Sequence, residues 1–219
     1  MMLRPGAALV IAVAIGGYLL YNYVFPTTTY IYRMTVDVRV DGQTKSGSGV
    51  IRVDKIATPE WLPGGGSTSD RVYGEGIFVD FGSRGFVVAT LLARRGGVGP
   101  GNAHNWPNWD RVTRKPFPVP LARRALRPDE MPLFVTFGDK NDPSTLVRVP
   151  EDRFETIFGA GVRLEAVYVE TAAEPVTRNI ARHLPWLKTW PSTRIIAPAT
   201  RVPELNSGID GYAFTSNGV

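Results

Sequence analysis

Residues 29–40 read TYIYRMTVDVRV, and their strict alternation decides the fold class. Tyr30, Tyr32, Met34, Val36, Val38 and Val40 fall on one side; Ile31, Arg33, Thr35, Asp37 and Arg39 fall on the other. Successive side chains of a strand point to opposite faces, so the pattern predicts a strand with one face in a core and the other in water. Asp41-Gly42 follows, a pair suited to the positive φ angles of a type I′ turn. Lys45 to Val53 predicts the returning strand, in which Gly47 and Gly49 mark a bulge or a close backbone approach.

The same reading extends downstream. Residues 57–71, with Pro59, Pro63 and three successive glycines at 64–66, predict a loop. Val72 to Phe81 and Gly85 to Ala93 predict a second strand pair, and Leu133 to Gly138 with Leu146 to Val149 a third. Pro150-Glu151-Asp152 opens a short helix to Phe158, with proline first and acidic residues at the positive end of the helix dipole. Val162 to Glu170 is a further strand. Thr171 and Glu174 have capping-box spacing before a helix through Leu184, with Pro175 crowding its first turn. Leu121 to Leu126 predicts a helical turn or two. Residues 206–219 read as frayed or lightly tethered. About seven antiparallel strands and two short helices make the body mainly β, a sandwich or a strongly curved sheet.

Upstream, Ala7 to Phe25 carries no charge, follows Arg4 and stops at Pro26. A run of that length predicts one transmembrane helix. Tyr21, Asn22, Tyr23, Val24 and Phe25 offer no small residues for a signal peptidase, which favours an uncleaved anchor over a cleaved signal or a buried soluble helix. Aromatic rings at that depth suit the headgroup level. With no cysteine, a lipoprotein is excluded. Arg4 and the N-terminus favour a cytoplasmic tail, with Arg33 opposing, which would put the C-terminal domain in the periplasm of a bacterial inner membrane. Ala8, Ala12 and Gly16 share one face with the small-xxx-small spacing of close helix packing, a route to self-association or to docking in a membrane complex. The expected organisation is a tail and anchor at 1–28, a β domain at 29–190 and an irregular tail at 191–219.

The 23 glycines and 18 prolines argue against an all-helical body, and 43% hydrophobic with 21% charged residues is ordinary for a folded chain. Charge is concentrated. Residues 94–131 hold eight basic residues (Arg94, Arg95, Arg111, Arg114, Lys115, Arg123, Arg124 and Arg127) against Asp110, Asp129 and Glu130, an excess equal to the net charge of +5 of the whole chain. This proline-rich segment interleaves Trp106, Trp109 and Phe117 with its basic residues. A long insertion of this kind is a solvated loop, a partner-binding surface or a membrane contact.

Four strings together resemble an uncharacterised group of membrane-anchored proteobacterial proteins: SGSGVIRV at 46–53, FVTFGDKNDPSTLVRV at 134–149, FGAGVRLEAVYVE at 158–170 and EPVTRNIARHLPWL at 174–187. The resemblance covers most of the domain. It implies a bacterial source and assigns no activity and no site.

Known chemistries find little purchase. His104 and His183 are the two histidines and cysteine is absent, so no metal ligand set is readable and no cofactor is expected. Ser46 and Ser48 lack the strand-to-helix elbow of a nucleophile, and the glycines at 64–66 lack the lysine of a phosphate loop. Asp80, Glu75, Glu165 and Glu170 are carboxylates that a fold might gather for glycoside hydrolysis, though no spacing favours a pair. The expectation is a non-enzymatic, membrane-anchored accessory or structural subunit of an envelope complex, touching an anionic protein or lipid through Trp106, Trp109, Arg111, Arg114, Lys115, Arg123, Arg124 and Arg127. The alternatives are an envelope enzyme acting on cell-wall polymer, and a cytoplasm-facing nucleic-acid binder.

Overall fold

The computed structural model describes residues 5–63, 65–93, 109–110, 115–116, 121–188, 194–195, 209–210 and 213–217. Its elements run in the order α1 (Pro5–Val24), β1 (Thr27–Val40), β2 (Gln43–Ala57), β3 (Thr68–Glu75), β4 (Ile77–Asp80), β5 (Phe86–Ala93), β6 (Trp109–Asp110), β7 (Lys115–Pro116), β8 (Arg124–Ala125), β9 (Pro132–Phe137), β10 (Leu146–Arg148), α2 (Phe154–Phe158), β11 (Val162–Thr171), β12 (Arg194–Ile195), β13 (Ile209–Asp210) and β14 (Thr215–Asn217). The chain divides into two compact units, Met1–Thr29 with Asp54–Asp70, and Tyr30–Val53 with Arg71–Val219.

In the first unit, α1 ends where the Phe25 N–H donates to the Tyr21 carbonyl at 2.8 Å and Pro26 stops the helix. Among the described residues no helix is long and apolar enough to cross a membrane, which corrects the expected transmembrane helix. The unbroken aliphatic stretch is Ala7 to Ile15, about 14 Å of helix against a hydrocarbon core of about 30 Å. Beyond it Leu19, Leu20 and Val24 alternate with Gly16, Gly17, three tyrosines and Asn22, whose amide donates to the Tyr18 carbonyl at 2.9 Å. The loop of this unit is tied by Thr58 N–H to Ser67 O at 2.9 Å and Gly66 N–H to Thr58 O at 3.1 Å. Gly65 is required there, since a Cβ would lie 2.1 Å from the Pro59 carbonyl oxygen.

The second unit is mainly β, with two antiparallel sheets. The larger has the order β14-β3-β2-β1-β11-β8 and the smaller β10-β9-β5-β4. The alternation of β1 holds: Tyr32, Met34, Val36, Val38 and Val40 are buried while their neighbours are not. They share one core with Ile51 and Val53 of β2, Val167 and Val169 of β11, and Val87, Ala89 and Phe134 of the smaller sheet. The other face of the smaller sheet is covered as well. Val88, Val135 and Phe137 pack there against Ile180, Leu184, Trp186, Leu187 and Phe214. Hence every residue of β9 is buried, as for a strand covered on both faces.

Several elements differ from expectation for local reasons. The strand expected over 72–81 is two, because the chain changes sheet at Gly76. A Cβ there would sit 2.9 Å from the Ala89 carbonyl oxygen, and the Gly76 N–H donates to Phe214 O at 2.8 Å. The helix expected over 171–184 is absent. Thr177 is held by the β2 backbone instead, its hydroxyl accepting from Val50 N–H at 2.8 Å and its N–H donating to Val50 O at 3.1 Å. Only short 3-10 turns follow, at Ile180–Arg182 and Pro185–Lys188. Leu121 to Leu126 forms no helical turn; within it Arg124–Ala125 is the edge strand β8, and Leu126 N–H donates to Val167 O at 2.7 Å. The frayed C-terminus is corrected too: Ala213 and Phe214 are fully buried and β14 pairs with β3.

Candidate functional site

The larger sheet turns its polar face outward, and a groove of about 620 Å³ lies on it. Its floor comes from three neighbouring strands. Arg33 and Thr35 point out from β1, because Tyr32, Met34 and Val36 point in. Ser46 and Ser48 point out from β2 because Gly47 between them lies against β4, where a Cβ would meet the Phe78 carbonyl oxygen at 2.4 Å. Glu170 of β11 stands directly across from Arg33. The segment after β11 adds Glu174 to the lining, and Arg123 joins it from just before β8.

Arg123 lies over the Tyr168 ring, its guanidinium carbon 4.3 Å from the centroid. Its nearest carboxylate is Asp37, at a long 3.9 Å, and Asp37 already accepts the Ser46 hydroxyl at 2.7 Å. Stacking therefore orients the cation at the lining of the groove. Across the floor, Arg33 pairs with Glu174 and not with its cross-strand neighbour Glu170. The Glu174 carboxyl is held below the usual glutamate range by its own backbone N–H and, against the opposing effect of burial, by the Arg33 charge. Among the described residues Glu170 makes no hydrogen bond or ion pair, so the groove presents one cation held only by a ring and a long ion pair, and one anion without a partner.

The residues singled out from the sequence go to different places. Arg124 and Arg127 both turn inward to Glu130, whose side chain is 2% exposed; Arg124 donates to its two oxygens at 2.7 and 3.0 Å. The Arg127 backbone N–H donates to the same carboxylate at 2.8 Å. These two arginines anchor the edge strand and are already neutralised. Trp109 and Lys115 lie in a two-stranded ribbon, Trp109 opposite Pro116 and Asp110 opposite Lys115. Trp106, Arg111 and Arg114 lie outside the described residues. On α1, Ala12 and Gly16 are exposed, and a Cβ at Gly16 would meet nothing within 4 Å; the Ala8 side chain is outside the described set.

The carboxylates do not gather. Glu75 is buried and accepts the Asn179 N–H. Asp80 accepts Gly82 N–H at 2.8 Å. Glu165 binds Arg39 and Thr44 at 2.8 and 2.7 Å. His183 stacks on Phe78 with centroids 4.2 Å apart. Among the described residues no group of three His, Cys, Asp or Glu stands together as a metal site. Sequence reading missed Tyr168 and Asp37, the residues that orient Arg123. The signal for Tyr168 was its place two residues before Glu170, on the same face of β11.

No family model matches the chain, and neither does any curated protein or solved structure.

Proposed function

We propose that this protein is a non-enzymatic binding subunit of a bacterial envelope complex, and that the sheet groove holds a segment of a partner polypeptide. The observation that carries the reading is a pair of opposite charges on one groove bordered by hydroxyls, Arg123 with only a long ion pair to Asp37 and Glu170 with no partner among the described residues. An acidic side chain of the partner meets Arg123, and a basic one meets Glu170. Thr35, Ser46 and Ser48 supply hydrogen bonds to the chain between. Of the basic segment, this assigns Arg123 to the partner and gives Arg124 and Arg127 to the protein's own architecture.

The test is affinity purification of the full chain from its native cells, with Arg123→Glu and Glu170→Lys measured separately. Both positions are surface sites, so each variant keeps the wild-type circular dichroism spectrum. Each is expected to lose a co-purifying protein that the wild type retains, by about tenfold or more, the scale of one close charge pair at an interface. Retention of the same partners by both charge reversals refutes the groove as the contact.

A further inference from the structure

We propose that the first unit is a lipid-facing surface, in which Trp61 and Tyr23 sit at the headgroup level and the aliphatic side chains of α1 contact acyl chains. This stands apart from the groove and rests on different residues.

The aliphatic side chains of α1 are bare. Leu9, Val10, Ile11, Val13 and Ile15 are exposed by 67, 68, 49, 67 and 54%. Helical residues step by about 100° each, so Leu9, Val10 and Ile11 alone already point in three directions. Apolar surface of this extent marks a protein or membrane contact. A second copy of the chain, or any partner with a flat face, would cover one stripe and leave the others in water. A lipid environment covers all of them. From Pro5 to Pro26 there is no charged side chain to oppose that transfer.

A second observation comes from a different stretch of chain. The tied loop at 58–67 carries Trp61, 73% exposed, and the end of α1 carries Tyr23, 85% exposed. Both line one open hollow of about 560 Å³, together with Pro59, Glu60 and Ser67. Tyr18 and Tyr21 lie in the same last turns of α1, exposed by 68 and 50%. Rings with an apolar body and a polar tip collect where one end is apolar and the other wet. The Gly65 turn and the Thr58–Ser67 bonds hold Trp61 in a fixed loop, so its exposure is a built feature of the unit. Contact with lipid is what these residues require; a crossing is not.

The full chain is purified in mild detergent, mixed with vesicles of phosphatidylethanolamine and phosphatidylglycerol, freed of detergent and floated on a density gradient. Vesicles with brominated acyl chains report on tryptophan depth. Five tryptophans are present, so Trp61→Phe assigns the signal. The expected result is that the protein floats, that bromines near the glycerol quench more than bromines near the chain ends, and that Trp61→Phe removes the quenched share. Trp61→Ala should lower vesicle partitioning about tenfold. A protein that stays at the bottom of the gradient overturns the proposal, as does quenching that Trp61→Phe leaves unchanged.

Discussion

Glu165 shows how one residue organises its surroundings. Between Asp37 and Val38 the β1–β11 register slips, so that Asp37 faces Ala166, Val38 faces Leu164 and Glu165 is the extra residue. The bulge turns its carboxylate toward the hairpin, where the Thr44 hydroxyl donates at 2.7 Å and Arg39 Nε at 2.8 Å. Thr44 first and Arg39 next hold this carboxyl below the ordinary glutamate range. A carboxyl lowered in the folded state favours folding above its unfolded pKa, and the benefit is lost as pH falls through the folded value. A carbon-detected NMR titration should therefore find Glu165 among the more acidic glutamates, and Thr44→Val should move it back up. A Glu165 titration point unmoved by Thr44→Val would show that the hydroxyl does not set it.

At the scale of elements, glycine decides where strands pass one another. Gly47 lets β2 approach the β4 backbone, and Gly76 lets the chain leave the larger sheet for the smaller one. Gly47→Ala places a methyl group 2.4 Å from the Phe78 carbonyl oxygen, which backbone shifts must relieve. The expected loss of stability is about 1–3 kcal/mol, the usual cost of overpacking. In urea denaturation this appears as a lower midpoint at unchanged slope. A midpoint equal to that of the wild type would mean that β2 and β4 are not in close contact. The same substitution is also expected to weaken partner capture, because Ser46 and Ser48 are set outward by the contact that Gly47 permits.

Across the whole second unit, the chain's last described residues complete its core. Phe214 is fully buried, with its ring 5.8 Å from Phe137 and 5.4 Å from Trp186, and β14 adds an edge to the larger sheet. Phe214→Ala should cost about 3–5 kcal/mol, the range for an aromatic removed from a core. Thermal unfolding followed by near-ultraviolet circular dichroism measures it directly. A change within about 0.5 kcal/mol, typical of surface positions, would return the C-terminus to the status of a loose tail.

By itself the sequence determined the class of the fold and its central hairpin. Period-two alternation is a local property, and Tyr32 to Val40 carry it without help from distant residues. The Asp41-Gly42 turn is local in the same way, with Asp41 at φ 49° and Gly42 at φ 84°. What only the tertiary structure decided depends on partners remote in the chain. Arg123, Arg124 and Arg127 look alike as letters, yet a buried Glu130 claims two of them and the Tyr168 ring orients the third. Capping-box letters at Thr171 and Glu174 gave way to Arg33 and the Val50 backbone, since bonds across 127 residues outweighed a local helix signal. The N-terminal run predicted a membrane crossing, yet among the described residues no helix is long and apolar enough for one. The outward face of β1 was legible in its alternation, but the groove on it and the pairing of its charges were not, because both are settled by which side chains meet in space.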